Sequence, residues 1–194
     1  MAYKTVVRNQ AYTRGGAGIR ERHNERKNEC YSNADIQLER SPMNVQFKQC
    51  EGTYTEVFDK LLADGVISTR GLKADAKVID EMIFDVNTLY FEDNGGYDFA
   101  KRFYEAAYRL AVKEAGDERY ILSAVMHADE VNVGVSADLG KDVYHYHLHV
   151  VYVPVVKKEI FFSKRSKDKA GQLKDTIPYY DPVVLFQKKK ILHS

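Results

Sequence analysis

The sequence predicts an α+β fold, an antiparallel β-sheet flanked by helices, in one domain over residues 1–194. The predicted elements follow as strand, helix, strand, helix, strand, long helix, strand, loop and strand. This order lacks the strict strand–helix alternation of a doubly wound parallel sheet, so it favours an antiparallel sheet with helices mainly on one face. A chain of 194 residues, 44% of them hydrophobic, is long enough to bury a sizeable core.

The first part of the chain combines a short strand with a polar helix. Tyr3–Arg8 alternates β-prone residues and predicts a first strand, and the glycine-rich stretch Asn9–Gly18 predicts a loop. Ile19–Cys30 is rich in Glu, Arg and Lys and predicts a polar helix. His23 and Arg26 are three residues apart and would share one face of that helix.

The middle of the chain predicts two strands around a capped helix. Asn44–Lys48 is a short strand, and a capping-box pattern, Thr-Tyr-Thr-Glu, starts a helix over Tyr54–Ala63. Lys77–Val86 alternates as a strand and carries Asp80 and Glu81 at its centre. Neighbouring strand residues point to opposite faces, so at most one of these two acids reaches a site on the sheet.

The second half predicts the longest helix and the two best strands. Tyr97–Ala115 repeats its apolar residues at helical spacing. Tyr120–Met126 and Val143–Val156 predict strands joined by a loop with two glycines. Beyond them, Ile160–Ser163 predicts a short strand and Lys164–Lys174 a mobile segment.

A row of histidines marks the last of these long strands. His145, His147 and His149 fall at every second position, so a β-strand points all three to one face. A hairpin with the preceding strand would bring His127 beside His147 and His149, and three imidazoles leave open positions on a divalent metal. Glu130 is a candidate extra ligand or hydrogen-bond acceptor, whereas His145 is expected at the edge. Incidental surface histidines are the alternative on this pattern alone.

Charge and cysteine content narrow the class of protein. The formal net charge is +1, but residues 157–194 carry nine Lys and one Arg against four acids, and Ile19–Lys27 is also basic. Each basic stretch is a solvated face or an anion-binding surface. Cys30 and Cys50 lack metal-ligand spacing and predict free thiols in a reducing cytoplasm. No signal peptide or long apolar run is present, so we expect a cytoplasmic protein without membrane contact.

Several short motifs occur in a diagnostic order. They are His23-Asn-Glu-Arg26, Tyr31-Ser-Asn-Ala-Asp-Ile36, Asn44, His127-x-Asp-Glu130 and His147-x-His149. The arrangement resembles the relaxase domain of the MobV (Pre, plasmid recombination enzyme) family, part of the HUH endonucleases, over nearly all of Tyr3–Pro154. The resemblance implies an HUH relaxase sheet with a ferredoxin-like or RRM-like core, as the N-terminal part of a longer protein. Residues 157–194 are a basic extension that the resemblance covers poorly.

The resemblance also implies a function. Such enzymes nick one DNA strand at an origin of transfer, become joined to the 5′ phosphate and later rejoin the ends. The nucleophile is carried over onto His23, which without the resemblance is simply a solvent-facing helix histidine. Arg22 and Arg26 beside it would lower the pKa of the imidazole, and Arg26 would clamp the scissile phosphate. Tyr12 and Tyr31 are the alternative nucleophiles.

The implied ligands and partners complete the hypothesis. The metal ligands carry over onto His127, His147 and His149, with Glu130 as a candidate fourth ligand, and Glu130 is also a candidate catalytic residue beside His23 and Arg26. The working metal is expected to be Mn²⁺ or Mg²⁺, with Zn²⁺, Ni²⁺ or Co²⁺ in a purified sample. The partners are origin DNA, single-stranded or hairpin near the nick, and conjugation coupling proteins. The candidate DNA contacts are Arg14, Arg20, Arg22, Arg70 and Lys73.

Two other functions fit the same residues. One is a three-histidine metallohydrolase of a small phosphoester, in which water replaces His23 as the nucleophile. The other is a non-catalytic nucleic-acid-binding domain whose histidines are incidental. Formation of a covalent DNA adduct separates the relaxase hypothesis from both.

Overall fold

The computed structural model describes residues 4–179 and confirms the predicted α+β fold. The strands are β1 (Thr5–Thr13), β2 (Val45–Lys48), β3 (Lys77–Val86), β4 (Ile121–Val131), β5 (Tyr144–Tyr152), β6 (Val156–Phe161) and β7 (Leu173–Tyr179). The helices are α1 (Ala17–Asn24), α2 (Tyr54–Ala63), α3 (Thr88–Asp93), α4 (Gly96–Ala115) and α5 (Val133–Leu139). Short 3₁₀ turns cover Leu38–Met43, Glu118–Tyr120 and Lys167–Lys169.

The central sheet is antiparallel and has the strand order β1-β3-β5-β4-β2. The histidine-bearing strand β5 is therefore in the middle, between β3 and β4. From Tyr146 to Tyr152 every residue of β5 is buried. The rest of the sheet thus holds this strand on both edges, and its side chains have little freedom to move.

One face of the sheet packs on α3 and α4. Tyr146, Leu148 and Val150 of β5 point into this core. They meet the apolar side of α4, where Tyr104 is fully buried and donates a 2.7 Å hydrogen bond from its hydroxyl to the Tyr146 carbonyl. Phe91 of α3 fills the same core. The helical and strand periods in the sequence account for this layer directly.

The other face is covered only in part. Val151 and Val153 pack beneath α2, whose Phe58 is buried against them. The predicted capping box is confirmed, because the Thr53 hydroxyl accepts from the Glu56 backbone N–H and Glu56 accepts from the Thr53 N–H. Further along β5 this same face carries the histidines, so the second core forms one wall of the candidate site.

The first segment of the chain differs from its prediction. The predicted loop Asn9–Gly18 is confined to residues 14–16, because β1 continues to Thr13 in pairing with β3 and α1 begins at Ala17. The helix predicted over Ile19–Cys30 is wrong in its second half, since α1 ends at Asn24 and Arg26 has a φ of 50°. Long-range polar contacts at these residues override helix propensity.

Two further segments are more ordered than predicted. The loop between β4 and β5 contains α5, and the segment expected to be mobile forms the tip of a β6–β7 hairpin and the start of β7. Tyr3 of the predicted first strand and residues 180–194 of the basic extension lie outside the described residues. Between residues 4 and 179, none of the helices combines the length and apolar character required for a membrane span.

Candidate active site

Three histidines from two neighbouring strands form a compact cluster. His127 of β4 pairs directly with His147 of β5, and His149 is two residues further on the same face. The three ring centroids lie 4.8 to 5.0 Å from one another. All three side chains are buried. The structure therefore brings the three predicted metal ligands together.

Hydrogen bonds orient two of these rings. Nε2 of His127 donates to the Asn24 carbonyl at 2.9 Å, which leaves the lone pair of Nδ1 facing the cluster. Nδ1 of His149 donates to Oε1 of Glu81 at 2.8 Å, which leaves Nε2 as the free acceptor. Among the described residues, this buried Nε2 has no hydrogen-bond partner. Such outer partners are typical of metal-ligating histidines, because they fix the tautomer.

The donor atoms converge near Glu130. Nδ1 of His127 and Nε2 of His147 lie 3.2 Å apart, and Oε1 of Glu130 lies 3.6 Å from His147 and 4.0 Å from His127. Two overlapping groups bring one ligand atom from each member within 4.8 Å: His127 with Glu130 and His147, and His127 with His149 and His23. Neither group contains all three predicted ligands, and His127 belongs to both. The nitrogen and carboxylate donors fit a divalent transition metal.

Burial keeps the cluster uncharged. Loss of hydration, followed by the neighbouring His145, lowers the pKa of His147 to about 3. Burial, followed by the other imidazoles, also holds the pKa values of His127 and His149 well below the usual range. All three rings are therefore neutral at physiological pH, which is the state that binds a metal.

His23 lies over this cluster. It is on the last turn of α1, half-buried, with its ring centroid 5.9 Å from that of His127 and 6.0 Å from that of His149. Burial lowers the pKa of His23, and the charges of Arg26 and Arg20 lower it further. A neutral imidazole has a nucleophilic nitrogen lone pair, so the position and the charge state suit a nucleophile.

Arg26 makes different contacts from the predicted phosphate clamp. Its guanidinium forms a two-pronged pair with Asp129 at 2.7 and 2.8 Å, bonds Glu130 at 2.9 Å and donates to the His23 carbonyl at 3.1 Å. These contacts occupy four of its five N–H donors, and the side chain is 6% exposed. The arginine thus ties the segment carrying His23 to the acidic end of β4.

A β-bulge makes this link possible. Between His127 and Glu130, β4 has one residue more than the matching stretch of β5, so the strand shifts register. As a result the consecutive residues Asp129 and Glu130 both reach Arg26. Asp129 was not among the predicted site residues. Ser41 and Asn44 also donate to it, and despite its burial the hydrogen bonds from Arg26 and Ser41 hold the pKa of its carboxyl well below the usual range.

Glu81 is the strand acid that faces the site. It is fully buried and accepts from His149 and Asn24 on one oxygen, at 2.8 Å each. Its other oxygen accepts from the Tyr12 hydroxyl at 2.8 Å and forms an ion pair with Nε of Arg20 at 3.0 Å. By the alternation of β3, Asp80 points to the opposite face. The Glu81 carboxylate therefore connects the predicted metal ligand His149 with helix α1 and strand β1.

The remaining candidates have other surroundings. The Tyr12 hydroxyl is held by Glu81 and Arg20, and burial raises its pKa. The Tyr31 hydroxyl donates to a backbone carbonyl and accepts from the Asn28 N–H, with its ring against His23. His145 lies at the edge, bonded to Thr88 and stacked on His147.

The five predicted DNA contacts have different surroundings. Arg20 lines a cleft of about 500 Å³ beside His23. Arg14 pairs with Asp59 and is exposed, and Arg22 is exposed beside the nucleophile candidate. Arg70 and Lys73 are exposed in the loop before β3.

Comparison with known proteins identifies the family. The family model described as plasmid recombination enzyme matches residues 1–192. A plasmid recombination enzyme of Bacillus sp is 32% identical over 109 residues, 56% of this chain and 26% of the relative. A type 2 enzyme of Staphylococcus aureus is 29% identical over 133 residues, 67% of this chain and 30% of the relative. The chain thus spans less than a third of these relatives' length.

A solved structure shares the fold and the family. It is the relaxase domain of MobM (MOBV; Mob_Pre) bound to plasmid pMV158 oriT DNA with Mn. It matches with a TM-score of 0.63 and 25% identity over 88% of this chain and 74% of that chain. With the family match over nearly the whole sequence, the predicted resemblance is confirmed: the chain belongs to the plasmid recombination enzyme (Mob/Pre) family.

Proposed function

We propose that this chain is a DNA relaxase domain that nicks and rejoins one strand at an origin of transfer through His23. The observation that carries the proposal is the position of His23, a neutral imidazole about 6 Å from a buried group of metal-type donors. A family member with the same fold is bound to oriT DNA, which supports DNA as the substrate here.

The residues proposed to hold a divalent metal are His127, His147, His149 and Glu130. The buried, unpartnered Nε2 of His149 and the convergence of the other donors support this set. A bound cation would neutralise charge on the non-bridging oxygens of the scissile phosphate. We propose Mn²⁺ over Mg²⁺, because imidazole ligands suit manganese better, and the MobM structure is described as Mn-bound.

His23 would attack the phosphorus from its neutral form. A nitrogen–phosphorus bond forms as the bond to the 3′ oxygen breaks, which leaves a free 3′ end and a 5′ phosphate joined to the imidazole. The reverse attack by a 3′ hydroxyl restores the DNA strand and releases His23. Because the covalent bond stores the energy of the broken phosphodiester, rejoining needs no nucleotide cofactor.

Arg26 is proposed to position the nucleophile, and not to bind the phosphate. Its guanidinium joins the His23 carbonyl to Asp129 and Glu130, so it sets the distance between the nucleophile and the metal side of the site. Two-pronged contacts of this type hold a geometry that a single ammonium cannot. Conjugation coupling proteins, a cytoplasmic location and a longer full-length protein remain predictions.

The test is formation of a protein–DNA adduct. The protein is incubated with Mn²⁺ and a supercoiled plasmid that carries the DNA flanking its own coding sequence, then denatured and resolved. We expect a nicked plasmid with the protein attached to its 5′ end. This attachment should survive denaturation of the protein under conditions without acid. His23→Ala should abolish the adduct and retain metal binding.

Each alternative function predicts a different result in these assays. Hydrolysis of small phosphoesters without an adduct would favour a metallohydrolase. DNA binding that survives His147→Ala, in a protein that retains no metal, would favour a non-catalytic binder. Nicking that persists in His23→Ala would move the nucleophile to Tyr12 or Tyr31.

A further inference from the structure

Two groups of potential metal ligands in the site differ in their chemistry. One group contains His127, Glu130 and His147, and it offers two imidazoles and a carboxylate. The other contains His23, His127 and His149, and it offers three imidazoles. In each group, one ligand atom from every member lies within 4.8 Å of the others. Because His127 belongs to both groups, two ions cannot occupy them together.

The two strand histidines of the second group each have a nitrogen lone pair to offer. Nδ1 of His149 donates to Glu81, so the remaining lone pair is on Nε2. This buried atom has no hydrogen-bond partner among the described residues. Nε2 of His127 donates to the Asn24 carbonyl, which leaves Nδ1 as its ligand atom. A buried polar atom without a partner costs free energy, and a bound cation would remove that cost.

The ring of His23 can complete this group. It contacts the rings of Tyr31, His127 and His149 edge-on, at centroid distances of 5.9 to 6.0 Å. Within residues 4–179, no hydrogen bond fixes the orientation of the His23 ring. A tetrahedral ion with bonds of about 2.1 Å places its ligand atoms about 3.4 Å apart, so the nitrogens need to approach by at most about 1.4 Å. Rotation of the His23 side chain supplies such a movement.

The donor atoms indicate which ion each group prefers. Imidazole nitrogen suits Zn²⁺, Cu²⁺ and Ni²⁺, whereas carboxylate oxygen suits Mn²⁺ and Mg²⁺. Three neutral imidazoles are a recurring ligand set for Zn²⁺. In the first group the carboxylate is Glu130, which Arg26 holds at 2.9 Å. The group with this anionic oxygen therefore favours manganese, and the group that contains His23 favours zinc.

We propose that Zn²⁺ binds the DNA-free protein on His23, His127 and His149 and masks the nucleophile. An imidazole nitrogen that donates its lone pair to a metal has no lone pair left to attack phosphorus. An ion other than the working metal would thus keep the site closed until a chelator, or exchange for Mn²⁺, releases His23. The metal site does not depend on the reaction, whereas the masking rests on the proposed DNA-nicking function.

The first test measures the affinities of the metal-free protein for Zn²⁺ and Mn²⁺ by competition with a chromophoric chelator, without DNA. His23→Ala should weaken Zn²⁺ binding by at least about tenfold and keep the Mn²⁺ affinity within about threefold of the wild type. Glu130→Gln should show the reverse preference and lose more affinity for Mn²⁺ than for Zn²⁺. The matched control is His145→Ala, which removes an imidazole outside both groups and should keep both affinities within about threefold.

Chemical labelling tests the same contact in the wild-type protein, without any substitution. Diethylpyrocarbonate modifies neutral imidazoles, and mass spectrometry locates the modified residues. We expect equimolar Zn²⁺ to protect His23, Mn²⁺ to leave it reactive, and the partly exposed His145 to be labelled in both cases.

Two results would overturn the zinc site. One is unchanged labelling of His23 in the presence of Zn²⁺, or a Zn²⁺ affinity of His23→Ala within about threefold of the wild type, which would assign the ion to the strand histidines alone. The other is an equal loss of Zn²⁺ and Mn²⁺ affinity in His23→Ala, because one ligand set would then serve both ions.

Adduct formation separates this proposal from the nicking proposal. If Zn²⁺ binds as expected but nicking persists in His23→Ala, the metal site stands and the masking is wrong. If His23→Ala abolishes the adduct but keeps the Zn²⁺ affinity, the nucleophile stands and the zinc site is wrong. If both proposals are correct, equimolar Zn²⁺ suppresses the adduct in the wild type, and chelation followed by Mn²⁺ restores it.

Discussion

Replacement of Glu81 by Gln tests the network that joins the metal donors to α1. The buried carboxylate accepts three hydrogen bonds, from His149 and Asn24 on one oxygen and from Tyr12 on the other, and this second oxygen also forms an ion pair with Arg20. An amide retains one oxygen and turns its NH₂ group towards the other two donors. Either His149 and Asn24 or Tyr12 and Arg20 then lose their acceptor.

The expected loss follows from those two bonds. A hydrogen bond to a charged acceptor contributes about 1.5 to 3 kcal/mol, and the half-buried Tyr12 or Arg20 recovers part of this from water. We therefore expect the free energy of unfolding to fall by about 2 to 4 kcal/mol. When the NH₂ group faces His149, that ring loses the acceptor that fixes its tautomer, and metal affinity should fall by about tenfold to a hundredfold.

Urea unfolding and calorimetric titration with Mn²⁺ measure the two effects. The matched control is Glu105→Gln, the same chemical change on the exposed face of α4, where the ion pair with Arg109 contributes about 0.3 to 0.5 kcal/mol. Unfolding within about 0.5 kcal/mol of the wild type, together with unchanged metal affinity, would refute the network.

Three further predictions follow from the same contacts. Arg26→Lys keeps the charge but loses the two-pronged bond to Asp129, so the free energy of unfolding should fall by about 1 to 3 kcal/mol. The nicking rate should fall more than the DNA affinity, and equal falls would contradict a positioning role. Thr53→Ala removes the cap of α2, which should cost about 1 kcal/mol in urea unfolding and leave nicking unchanged; a loss of nicking would place α2 in the site. Mn²⁺ at about a hundred times its Kd should raise the midpoint of thermal unfolding by about 5 to 10 °C, and chelation should reverse the shift; the same rise in His147→Ala would argue against that ligand.

Much of the scaffold could be predicted from local patterns. The helical spacing of apolar residues in α4 and the capping box of α2 act within a few residues of each other, so the sequence shows them directly. The alternation in β5 likewise predicts His147 and His149 on one face and Leu148 on the other. These features depend on backbone period, which is a local property.

Other parts depended on partners distant in sequence. The polar composition of Ile19–Cys30 suits a helix throughout, yet α1 ends at Asn24, whose amide donates to Glu81 and whose carbonyl accepts from His127. Arg26 then adopts a positive φ and turns to Asp129. No pattern within that segment contains information about β3 or β4.

By itself, the sequence determined the fold class, the central strand with its histidines and the family motifs, because strand and helix periods and short-range caps act between near neighbours. Only the tertiary structure decided which acid faces the site, where Arg26 binds and how the β4 bulge presents Asp129 and Glu130 together. These choices are set by competition among buried polar groups for hydrogen-bond partners, and that competition is resolved only when β1, β3, β4 and α1 are packed together.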